Sequence, residues 1–165
     1  MNIPFFLYRR LSPWITCEFN FSENSKVSLD NKFAVASFKD VFCHPFYWQV
    51  FQYIQKPPQL IVDCGAHCGH FSVLTNTCIQ SKFDNVQSEY LLVEPNPYLQ
   101  DILQKTISNA GFATNAQIYQ GLLGKKSGNE TLWINPKNYL ATSLKQNSKA
   151  KPHVIDYLNL EKTDK

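Results

Sequence analysis

Glycine is scarce in this chain, with six among 165 residues. No basic run exceeds Arg9-Arg10 or Lys125-Lys126, and the five cysteines neither pair off nor fall at regular spacing. Each shortage removes a class of protein. Sixteen Lys and Arg against thirteen Asp and Glu leave a formal charge of +3; without a basic patch, that balance gives no electrostatic footprint for nucleic acid. No stretch approaches the ~18 uninterrupted apolar residues of a membrane span. In MNIPFFLYRRLSPWI the arginines follow the short apolar run, so the segment does not read as a secretory signal. Cys17, Cys43, Cys64, Cys68 and Cys78 differ from an evenly counted secreted scaffold, which predicts free thiols in a reducing cytoplasm.

What remains is a globular composition, 44% hydrophobic and 18% charged, rich in aromatics with twelve Phe, eight Tyr and three Trp. The length suits one domain with a single core. The first forty residues read as short strands: Ile15 to Phe21, a second within SENSKVSLDN, and Lys32 to Ser37. In DVFCHPFYWQVFQYIQ, Phe42, Phe46, Val50 and Tyr53 recur at helical spacing, predicting a helix packed on the core by that face. Pro45 suits its first turn, and Pro57-Pro58 ends it.

Strands and helices then alternate. Gln59 to Asp63 is a continuous apolar run, as expected of a strand buried on both faces. Phe71, Leu74 and Cys78 form one face of a helix, and Tyr90 to Val93 is a second buried strand ending at Glu94. Asn96 caps a helix with Pro97 at its first position and Leu99, Leu103 and Ile107 on its apolar face. Gln117 to Gln120 is a third strand and Thr131 to Ile134 a further one. This order predicts an α/β fold with βαβ units and a parallel sheet. The tail from Lys145 is polar and weakly patterned apart from His153 to Leu160. The expected organisation is a β-rich extension over 1–38, a ligand-binding domain over 39–144 and a tail over 145–165.

Two of the six glycines stand four apart in LIVDCGAHCGHFS, directly after the most strand-like segment. Three chemistries produce such a pattern. A metal site would use Cys64, His67, Cys68 and His70, but all four ligands would come from one turn with no second pair, so no metal is expected. A nucleotide-binding turn would use the glycines for close backbone approach, with Glu94, 25 residues beyond Gly69, beside it to accept ribose hydroxyls. The spacing Gly65-x3-Gly69 lacks a third glycine for a dinucleotide pyrophosphate and suits a ligand with ribose and adenine but no phosphates, S-adenosylmethionine. A plain packing turn explains either glycine singly, but not an acid at the end of both strands, Asp63 and Glu94, where a carboxylate needs solvation or a partner.

VDCGAHCGHFS, LLVEPNP, the QGLLG turn and NYLATSL resemble the FkbM-type family of S-adenosylmethionine-dependent methyltransferases, over roughly residues 42 to 144. The resemblance implies a Rossmann-like class I methyltransferase fold, here as a βαβαβ half, and methyl transfer to a hydroxyl on a sugar or natural-product acceptor. By motif, Asp63, Gly65, Ala66 and Gly69 would surround the methionine part of the cofactor. Glu94 would hold the ribose, and Pro95 and Asn96 would flank the adenine. His67 and His70 lie on the same turn and either face the cofactor or point to solvent; with His44 they are the candidate bases. Family members continue past the NYLATSL region into a strand ending in an acidic motif such as KID-x-EG, which this sequence lacks. The expectation is therefore a truncated product, half of a site completed by a partner chain or second copy, or a reduced domain whose tail covers the bare edge of the LIVD strand. Two other classes stay open: a cofactor-binding module without turnover and an NAD-dependent oxidoreductase half-domain.

Overall fold

The computed structural model describes residues 5–159 except 13, 23–24, 85, 137 and 147. Helix α1 (Phe5–Leu11) leads into an antiparallel hairpin, β1 (Cys17–Ser22) and β2 (Ser25–Leu29). The Tyr8 hydroxyl fastens α1 to the hairpin by donating to the Leu29 carbonyl at 2.8 Å. Lys32 to Ser37, expected to be a strand, instead opens helix α2 (Lys32–Phe42). The Asn31 side chain accepts the N–H groups of Phe33 and Ala34, and Ala34, Val35, Phe38 and Phe42 form the buried stripe. The boundary expected at residue 38 thus falls inside a helix.

Helix α3 (Pro45–Val50) is short, and a single 3₁₀ turn continues it to Tyr53. Its predicted inward face is turned outward: Phe46 is 62% exposed and Tyr53 79%. The inward positions lie one residue later, with Phe51 enclosed and Tyr47, half-buried, packed edge-on against Phe71 at 5.7 Å. Almost every position of FYWQVF is apolar, so periodicity could not choose the face.

The central unit is β3 (Leu60–Cys64), α4 (His70–Lys82), β4 (Glu89–Val93), α5 (Gln100–Asn109) and β5 (Ala116–Tyr119). The three strands are parallel in the order β3-β4-β5, with Cys64 paired to Val93 and Leu92 to Ile118. Residues of α2, α4, α5 and the hairpin meet Ile61, Tyr90, Leu92 and Ile118 in one core. That face carries the hydrophobic stabilisation. The opposite face of β3 is open, contrary to the doubly buried strand expected, with Leu60 58% exposed and Val62 36%. Among the described strands β3 also pairs with β4 alone, which leaves its other edge without a strand.

Beyond β5 the chain forms a second sheet from β6 (Leu122–Leu123), β7 (Asn129–Asn135), β8 (Asn138–Ser143) and β9 (Lys151–Leu158). Their order is β6-β9-β7-β8, so β9 lies inside the sheet, parallel to β6 and antiparallel to β7. The segment from 145 is therefore no separate tail, because its strand binds two earlier ones. Leu132, Ile134 and Ile155 make a small core against which Tyr98 packs, and the Tyr98 ring meets His153 edge-on at 5.3 Å. No described helix is long and apolar enough to cross a membrane.

Candidate functional site

The carboxyl ends of β3 and β4 lie side by side, and the last paired residues, Cys64 and Val93, deliver Gly65 and Glu94 to the same edge. The turn after β3 carries three positive φ angles: 81° at Gly65, 51° at His67 and 79° at Gly69. The two glycines do different work. A Cβ at Gly65 would meet nothing within 4 Å, so this backbone is open to a ligand. A Cβ at Gly69 would lie 2.8 Å from Leu103 Cδ1, so Gly69 lets α4 start close against α5. Ala66 and Cys68 are buried in the turn, and burial pushes the Cys68 thiol far up.

Both strand-end acids are buried, and the chain itself supplies partners for each. Asp63 Oδ2 accepts the Ser72 hydroxyl at 2.6 Å, tying the end of β3 to the first turn of α4. Glu94 Oε2 accepts the His67 N–H at 2.8 Å, and its Oε1 accepts the Asn96 N–H at 2.8 Å. Burial raises the pKa of both carboxyls, and these hydrogen bonds oppose the rise. The packing-turn reading, which left two strand-end acids without a reason, acquires one in these bonds. A carboxylate offers about four lone-pair positions, so each Glu94 oxygen keeps capacity for another donor.

The loop after β4 is similarly fixed. Asn96 Oδ1 caps the turn at Pro97–Leu99 by accepting the Tyr98 N–H at 3.0 Å, as the sequence predicts. The Asn96 amide nitrogen is buried without a partner. Pro95, half-buried, stands between Glu94 and Asn96. Gln100 Nε2 donates to the Glu94 carbonyl at 2.7 Å and closes the loop from behind.

The histidines are divided by packing. His70, at the start of α4, is 0% exposed; its ring lies edge-on to Phe38 at 6.0 Å and near Phe42 at 6.1 Å. It points to neither solvent nor open surface. Burial, reinforced by His67, holds its pKa down at about 3, and neither ring nitrogen has a partner. His67 is half-buried, lowered by burial against the pull of Asp40, and its Nε2 is unpartnered. His44 caps α3, its Nδ1 accepting the Phe46 N–H at 3.3 Å.

The donors of the turn decide what it can hold. Phosphate cradles work by aiming free backbone N–H groups at the anion. Here Gly65 and Ala66 both donate to the Val93 carbonyl, at 2.8 and 3.1 Å, and Gly69 donates to Ala66 at 2.7 Å. His67 donates to Glu94. The N–H groups of Gly65, Ala66, His67 and Gly69 are thus taken by the chain itself, beside the Glu94 carboxylate and an open glycine. Among the described residues, no group of three His, Cys, Asp or Glu side chains is placed to hold a metal ion. Sequence reasoning found Asp63, Glu94 and the Asn96 cap but missed Ser72 and Gln100. Ser72 closes the quoted motif and Gln100 stands four residues after Asn96, spacings that a local helix start could have signalled.

Comparison of the chain with protein-family models, curated proteins and solved structures gives no match.

Proposed function

We propose that the chain binds S-adenosylmethionine at the carboxyl ends of β3 and β4, as the Rossmann-like cofactor half of a class I methyltransferase. The observation that carries this reading is the pairing of an open Gly65 with the Glu94 carboxylate on adjacent strand ends. The spent N–H donors at Gly65, Ala66, His67 and Gly69 favour a phosphate-free nucleoside over NAD. Asp63, Gly65, Ala66, His67 and Gly69 would frame the methionine side. Glu94 would accept the ribose hydroxyls with the lone pairs left beyond its two backbone bonds. Pro95 and Asn96 would border the adenine, with the unpartnered Asn96 amide as a donor.

S-adenosylmethionine supplies an electrophilic methyl group, and the reaction we infer is O-methylation of a hydroxyl on a sugar or other small-molecule acceptor. What this chain contributes is alignment and exclusion of water. A second reading, a cofactor-holding module without turnover, is favoured by the histidines. His70 is locked in the core and His44 is spent as a helix cap, so neither stands as an accessible base. The bare edge of β3 would then receive a strand from a partner chain or second copy. The free cysteines suit a reducing compartment such as the cytoplasm.

Calorimetric titration with S-adenosylmethionine, with NAD as the control ligand, tests the proposal. Saturable binding of the first alone is expected. No heat from a folded chain, or preferential binding of NAD, would overturn it.

A further inference from the structure

A cleft of about 740 Å³ opens at the amino ends of β4 and β5, the opposite strand ends from Gly65. It lies between the hairpin, the second half of α4, the segment before β4 and the end of α5. Its described lining is uncharged and about half polar: Asn76, Gln87 and Asn115 supply amides, and Ser25 and Thr77 supply hydroxyls. Ser25 Oγ and Thr77 Oγ1 are buried there without a hydrogen-bond partner, each carrying an uncompensated desolvation cost. The Tyr90 hydroxyl donates to Asn76 Oδ1 at 3.3 Å, which fixes the donor end of that amide. Phe21, half-buried, and Phe112, buried against Tyr90, back the cleft with apolar side chains.

From this lining we propose that the cleft binds a neutral hexose unit, as a monosaccharide or within an oligosaccharide. A sugar hydroxyl both donates and accepts, and so do side-chain amides and hydroxyls. A phosphorylated or carboxylated ligand would find no cation among the described lining residues to offset its charge. The volume falls within the range of about 300–1,000 Å³ usual for small-ligand sites. From Ser88 to Glu94 the strand runs about 20 Å, so a sugar here lies beyond reach of a methyl group held at Gly65. The cleft therefore anchors a glycan rather than presenting its hydroxyl for reaction. The inference does not depend on the cofactor reading.

The test is an NMR titration of the ¹⁵N-labelled chain with glucose, galactose, mannose, N-acetylglucosamine and maltose at millimolar concentrations, with glucose 6-phosphate as the charged control. Saturable shifts of the Asn76, Gln87 and Asn115 side-chain amides by at least one neutral sugar are expected, with weaker response to the phosphate. Thr77→Val and the more exposed Gln87→Ala should each weaken that binding by about fivefold, the worth of one hydrogen bond. Two results would overturn the proposal: no shift in the cleft with any neutral sugar, or shifts that both folded variants leave intact. Titration of S-adenosylmethionine into the same samples reads the other site separately.

Discussion

Glu94 Oε2 accepts the backbone N–H of His67 at 2.8 Å, joining two loops that are 27 positions apart in sequence. The carboxylate proposed to receive a ribose is therefore also the clamp that holds the glycine turn against the second strand. Hydrogen bonds to a buried charge are worth about 1.5–3 kcal/mol each. Glu94→Ala should cost about 2–4 kcal/mol by urea denaturation, because it frees both the His67 and Asn96 N–H groups. Glu94→Gln keeps one acceptor and should cost about 1–2 kcal/mol. If the carboxylate also holds ribose, this folded Gln variant should bind S-adenosylmethionine about tenfold more weakly, as for one lost charge-assisted bond. Unchanged affinity would reduce Glu94 to a loop clamp.

The two glycines of the turn should separate in the same assays. Gly65→Ala meets no atoms, so its cost is the left-handed backbone alone, about 1–2 kcal/mol. Gly69→Ala adds a contact with Leu103 Cδ1 in the core and should cost about 2–4 kcal/mol. Cofactor affinity, by contrast, should fall more in the Gly65 variant, which fills the open approach. Equal stability losses would mean that α4 does not start against α5 as described.

His70 should make the chain acid-sensitive. Its folded pKa is about 3, while the unfolded side chain titrates near 6.5. As pH falls below about 6.5 the unfolded chain takes up a proton that the native chain refuses, so stability drops. At about pH 5 the loss from this group is about 2 kcal/mol relative to neutral pH. Asp63 and Glu94 act oppositely. With carboxyls raised by burial, their contribution is greatest below about pH 4 and declines as pH rises through their folded values. The urea midpoint of the wild type should therefore be lower at about pH 5 than at neutral pH, and His70→Leu should flatten or reverse that trend. Parallel curves for the two proteins would place His70 outside the core.

Thiol labelling checks the packing of the turn directly. Cys43 and Cys64 are exposed, whereas Cys68 is 0% exposed with its thiol pKa driven up by burial. An aromatic disulfide reagent should modify Cys43 and Cys64 first, Cys17 and Cys78 more slowly, and Cys68 on unfolding. Mass mapping of Cys68 modification in the folded chain would contradict the buried turn.

The alternation from Leu60 to Tyr119 was legible because β3 and β4 carry short apolar runs and α5 has an apolar stripe behind a start signal. Asn96 followed by Pro97, with Leu99, Leu103 and Ile107 beyond, left little room for another reading. Lys32 to Ser37 misleads because its helical signal lies partly outside it. KFAVAS alone is β-rich, but Phe38 and Phe42 extend it into a helical stripe, and Asn31 caps it. The aromatic segment at Phe46 failed because uniform hydrophobicity erases phase. At the candidate site the residues were visible and their bonds were not. Nothing in the sequence says that Asp63 is held by Ser72, or that His70 is enclosed by the rings of α2.

The placement of β9 between β6 and β7 sets a timetable for synthesis. The hairpin, α2 and the three parallel strands are all encoded before residue 120, so that core is free to condense while the rest of the chain is still being made. Strand β6 cannot: its described partners, Tyr157 and Leu158 of β9, are synthesised 35 residues later, or about 2–7 seconds at about 5–20 residues per second. Until then Leu122 and Leu123 wait unpaired beside a finished core. A nascent chain halted before β9 would carry that unsatisfied strand as a ready target for chaperones.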